Sequence, residues 1–90
     1  MSDRYEVIVK VISQKGTCVN EHKVGDQWVV SKKTPAGMCM SAYNAIYPNI
    51  RVLMFGGSLP WEKNPDMTTM ACPDETNPVV FELRRGKKIS

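Results

Sequence analysis

The chain has 90 residues, 42% of them apolar and 23% charged, with a formal net charge of +3. This is the length of one small domain, residues 1–90, which buries only about 60–65% of its unfolded surface and so has a core with little margin. No apolar run approaches the roughly 18–20 residues of a membrane span, and MSDRYEV has neither the basic nor the apolar part of a secretory signal, so a cytoplasmic protein with no membrane role is expected.

The positive charge does not by itself point to nucleic acid. Arg84, Arg85, Lys87 and Lys88 lie in the last seven residues; without them eight basic residues face nine acidic ones, a net charge of −1. A nucleic-acid face normally interleaves basic side chains with exposed aromatics. The four charges read instead as a solvated end, with residues 86–90 a flexible tail.

In chain order, Tyr5 to Ile12 (YEVIVKVI) places Tyr5, Val7, Val9 and Val11 on one face at period two, with β-branched residues that suit a pleated surface. A strand is expected there, ending by Gly16. Lys23 to Ser31 (KVGDQWVVS) reads as a Gly-Asp turn feeding a strand that contains Trp28, Val29 and Val30. Lys32 to Gly37 is a loop. Met38 to Tyr47 (MCMSAYNAIY) fits a helix, since Met38, Ala42, Ala45 and Ile46 form an i, i+4, i+7, i+8 stripe.

Pro48 allows two readings. It ends that helix, or it opens a second one in which Ile50, Leu53 and Met54 make the buried stripe and Gly56 the cap. Residues 49–55 also admit a strand, with Ile50, Val52 and Met54 alternating; the helical reading is favoured. Gly56 to Pro65 (GGSLPWEKNP) is a loop, held by Trp61. Thr68 to Cys72 is a strand, Pro73 to Pro78 a turn, and Val79 to Arg85 (VVFELRR) a strand with Val79, Phe81 and Leu83 facing in. The order implies an α+β fold: a small, mostly antiparallel sheet, flat or curled into a partial barrel, with one or two helices packed on it.

Chemistry resides in few places. Three cysteines cannot complete an intramolecular disulfide set, so reduced thiols are expected. Cys39 sits at the expected helix start, where free amides and the helix dipole favour a thiolate; a small buried residue is the bland alternative. Cys18 and the single histidine, His22, have C-x3-H spacing, which lets a thiolate and an imidazole meet one ion. Cys72 ends a strand before Pro-Asp. All three cysteines fall at element ends beside Gly or Pro, where loops converge, and not in the middle of an apolar strand face. If they converge, Cys18, Cys39 and Cys72 with His22 make a closed set for zinc, and the three thiolates alone suit an iron–sulfur cluster. The close C-x2-C pairs common to such sites are absent. Trp61 is a candidate pocket wall. Asp26, Asp66 and Asp74 sit beside turn residues, where backbone capping is their ordinary role.

Four segments taken together, KGTCVNEHKVGDQW, PAGMCMSAYNAIYP, FGGSLPWE and CPDETNPVVFELRR, cover almost the whole chain. In these the chain resembles a family of small bacterial and archaeal proteins of unassigned function, built of one such domain or two in tandem. Where that family favours Gly before the histidine, this chain has Glu21. The resemblance implies that Cys18, His22, Cys39, Trp61, Cys72 and Asp74 lie in signature segments; it carries no catalytic assignment.

These residues lead to one expectation and two alternatives. The expectation is an accessory or binding protein with a cysteine-rich site for zinc, an iron–sulfur centre or a soft electrophile: Cys18, His22, Cys39 and Cys72 as ligands, Trp61 and Asp74 beside them. The alternatives are a module that docks on a larger enzyme or on a second copy of itself, with structural cysteines, and a thiol enzyme with Cys39 as nucleophile and His22 as base.

Overall fold

The computed structural model describes residues 3–16 and 22–89. Among them the elements run β1 (Tyr5–Gln14), β2 (Gln27–Val30), α1 (Met40–Met54), β3 (Met67–Ala71) and β4 (Val79–Lys88). The strands form one sheet in the order β2-β1-β4-β3, and each neighbouring pair is antiparallel. The fold is α+β, as expected. The sheet is open, with β2 and β3 as its edges, and does not close into a barrel.

Period-two patterning sets the register. Val7, Val9 and Val11 are fully buried, as are Phe81 and Leu83 on β4, and the pairs Val9↔Leu83 and Val11↔Phe81 put them on one face. A one-residue slip would turn that set to water, which is why the register is strongly specified. On the other side of β1, Trp28 pairs with Val9 and Val30 with Val7, extending the same face. The turn into β2 has the expected chemistry: Gly25 takes φ +98°, and the Asp26 carboxylate accepts the Lys23 N–H at 2.9 Å.

The helix α1 lies over β1, β3 and β4. It is one continuous helix through Pro48, so neither the stop nor the second helix expected at that residue occurs. Its buried residues are Ala42, Ile46, Ile50, Leu53 and Met54. From Ile46 onward they repeat at i, i+4, i+7 and i+8, so burial of this stripe outweighs the hydrogen bond that Pro48 removes. Residues 49–55 are therefore not a strand. The end is a Schellman motif: Gly56, at φ +82°, donates its N–H to Leu53 O, and Gly57 donates to Val52 O at 2.8 Å.

Two further expectations are corrected. Trp61 is 67% exposed, so it does not hold the 56–65 loop. Leu59, which is buried, anchors it instead, together with Glu62, whose carboxylate accepts the hydroxyl of the fully buried Thr68 at 2.6 Å. Nor is the basic end loose through Lys88. β4 pairs Lys88 with Tyr5, Ile89 donates its N–H to Arg4 O at 2.7 Å, and Lys88 reaches Asp3 at 3.0 Å.

Candidate thiol and imidazole site

The sheet and helix meet at the start of α1. Cys39 is the N-cap residue, with φ −55° and ψ 130°, and its carbonyl accepts the first helical bond, from Tyr43 N–H at 2.9 Å. The Cys39 side chain makes no capping bond, and the first turn has no acidic residue. The expectation that Cys39 stands at a helix start holds.

His22 is only 3% exposed. Its Nε2 accepts the backbone N–H of Cys39 at 2.9 Å. An imidazole nitrogen that accepts carries no proton, so this contact fixes the tautomer with the proton on Nδ1. The ring meets Trp28 edge-on at 5.2 Å between centroids and Phe81 at 6.3 Å. Trp28 in turn donates its indole N–H to Ala36 O at 3.0 Å, pinning the loop that leads into Cys39. His22 therefore joins the loop before β2, the β2–α1 loop and the face of β4. Its contact is with the Cys39 amide, and that bond uses the Nε2 lone pair that a base or a metal ligand would need at that atom.

Cys72 follows the last residue of β3. Its N–H donates to Val79 O at 2.8 Å, and its Sγ accepts the Val79 N–H at 3.3 Å. Both Cys39 and Cys72 are half-buried against the same core that holds Val79 and Phe81. A chain of contacts thus runs from the Cys39 amide through His22 and Phe81, and one strand step further to Val79 and Cys72. Cys18 lies outside the described residues. Among the described residues no group of three or more His, Cys, Asp and Glu side chains is placed to hold a metal ion.

The remaining expected site residues do other things. Asp74 accepts the N–H groups of Thr76 and Asn77 at 3.0 and 3.1 Å, an Asx turn that shapes the link between β3 and β4. Trp61 is on the surface. Of the rings that wall His22, the sequence places Phe81 on the inward face of its strand and marks Trp28 only as a strand former. Their period-two spacing with Val30 and Val79 was the available signal, but alternation shows a face and not what stands on it. No known protein family, curated protein or solved structure matches this chain.

Proposed function

We propose that the protein is a small accessory or binding protein whose cysteines hold a soft Lewis acid, a zinc ion or an iron–sulfur centre. The observation that carries this reading is the 2.9 Å bond from the Cys39 N–H to His22 Nε2. It joins His22 to the start of α1, where the Cys39 side chain makes no capping bond of its own. Cys72, half-buried on the same core, supplies a second thiol, and Cys18 enters from the sequence alone. In this reading the thiols are the ligands. His22 is a positioning residue that sets the direction of Cys39, comparable to the supporting contacts that orient metal ligands elsewhere.

The test is metal analysis of protein purified without oxygen and reconstituted separately with zinc and with iron and sulfide. The expected result is about one zinc ion or one cluster per chain, with Cys39→Ser and Cys72→Ser each lowering metal affinity about tenfold or more, since losing a ligand costs at least as much as losing a contact that supports one. Wild-type protein that remains metal-free after both treatments would remove the proposal.

A second reading is favoured by the face of the sheet away from α1, which carries Val29 at 53% and Ile12 at 40% exposure without a covering helix. On that reading the chain docks on a larger enzyme or on a second copy. A Cys18→Ser/Cys39→Ser/Cys72→Ser variant that folds and still binds such a partner would favour it over the thiol site.

A further inference from the structure

The strongest feature unconnected with the cysteines is a cavity of about 220 Å³ between the end of β2, the turn after it and the outer side of α1. Its lining includes four cations, Arg4, Lys32, Lys33 and Arg51, together with Thr34 and the Tyr43 and Tyr47 pair. No aspartate or glutamate lines it. Among the described residues, none of the four cations has a carboxylate partner; the ion pairs present use Arg84, Arg85 and Lys88.

Arg4 is held in place, and the exposed Arg51 lies beside it on the same ring. Arg4 donates from Nη2 to Ser31 O at 2.6 Å, and its Cζ lies 5.8 Å from the centre of the Phe55 ring. Its Nε is buried with no acceptor, a donor the protein leaves unsatisfied where nearly all buried donors are paired. Arg51 approaches the same Phe55 ring at 4.7 Å and also reaches Tyr47 Oη at 3.4 Å. The fold therefore brings two guanidinium groups to one aromatic ring, with two lysines nearby and no internal counter-charge. A protein gains nothing in stability from gathering like charges; the arrangement is complementary to an anion.

We propose that this cavity binds a small phosphate dianion, free or as a monoester. Four cations favour a doubly charged oxyanion over a monocarboxylate, and guanidinium forks match phosphate geometry. The volume is below the roughly 300–1,000 Å³ of pockets that enclose drug-sized ligands, so the ligand body is small. The Tyr43 and Tyr47 rings, 5.4 Å apart, supply an aromatic wall for it. Burial first, then the neighbouring Tyr47, raises the Tyr43 pKa above the ordinary phenol value, against a smaller opposing effect of Arg51. That hydroxyl thus stays a donor at neutral pH.

Isothermal titration at fixed ionic strength, using inorganic phosphate, phenyl phosphate and benzoate as probes, tests the site. At least one of the phosphates is expected to bind saturably in the millimolar range or below, about tenfold more tightly than benzoate. The two phosphate arms separate a site for the free ion from one for an ester. Arg51→Gln is expected to weaken that binding about tenfold, the loss of one charge-assisted contact. Lys32→Gln/Lys33→Gln, on an exposed turn, provides the same test without touching a packed side chain. Absence of saturable binding by both phosphates, or equal affinity in wild type and the double lysine variant, would overturn the proposal. Because no cysteine lines the cavity, its failure leaves the thiol site untouched, and the Cys39→Ser protein should bind phosphate as wild type does.

Discussion

His22 shows how far a single residue can be read. The C-x3-H spacing is a weak signal, and a histidine before a strand is more often on the surface, whereas His22 is buried; nor does spacing carry information about which ring nitrogen faces what. That depends on Cys39, 17 residues away in sequence. The same limit applies to Trp61 and Leu59: both are apolar and both lie in a Gly/Pro-rich loop, and only packing decides that the smaller one is inside. By contrast, the turn roles of Asp26 and Asp74 were legible, because an Asx turn is a local arrangement. If His22 positions Cys39 as described, His22→Ala leaves the Cys39 amide without its acceptor and opens a cavity between Trp28 and Phe81. A loss of about 2–4 kcal/mol is expected from these two effects. His22→Gln, whose side-chain oxygen can accept, should recover part of it. Urea unfolding measures both; an alanine variant within about 0.5 kcal/mol of wild type would show that the bond contributes little.

At the scale of elements, strands were easier than the helix. β1 and β4 announce themselves by alternation of β-branched and aromatic residues, and the expected inward sets, Val7, Val9 and Val11 on one and Val79, Phe81 and Leu83 on the other, are buried. The expected helix is short because Pro48, taken locally, is a stop or a start. The deciding signal is longer than the proline's neighbourhood: the Ile46, Ile50, Leu53, Met54 stripe keeps helical phase across it and buries against the sheet. Pro48 itself is on the exposed side, and Asn44, whose carbonyl loses its i+4 donor, is exposed too, so water can serve that carbonyl. The helix therefore tolerates Pro48 without depending on it. Pro48→Ala restores the missing donor and a better helix former; allowing for the greater freedom it gives the unfolded chain, it should stabilise the protein by about 1–3 kcal/mol. The thermal midpoint is the readout, and a fall in it would mean that Pro48 fixes a bend the packing requires.

Across the whole molecule, the feature least visible in sequence is the role of Arg85. It stands in a run of basic residues, and charge alone assigned it to a solvated end. In the fold it closes the structure: Nε donates to Leu53 O at 2.9 Å, Nη2 to Gly57 O, Nη1 to the Asp66 carboxylate, and the guanidinium lies 5.4 Å from the Tyr5 ring centre. One side chain thus adds a second donor to Leu53 O, which already accepts the Gly56 N–H, serves Gly57 O, and ties β4 to the helix, the following loop and the segment before β3. These partners lie 19 to 32 residues away, beyond any local pattern. Arg84, the adjacent residue, points the other way; its side chain is 44% exposed and pairs with Glu82 at 3.1 Å. The two neighbours should therefore behave very differently. Arg84→Met is expected to change stability by no more than about 0.5 kcal/mol, as for most exposed ion pairs. Arg85→Met removes three charge-assisted bonds, to Leu53 O, Gly57 O and the Asp66 carboxylate, with an expected loss of about 3–5 kcal/mol. Arg85→Lys should rescue little of that, because an ammonium on a flexible stem cannot reproduce the planar fork that reaches three acceptors at once. Chemical denaturation of the three variants side by side makes the comparison, and equal losses at positions 84 and 85 would refute the closing role.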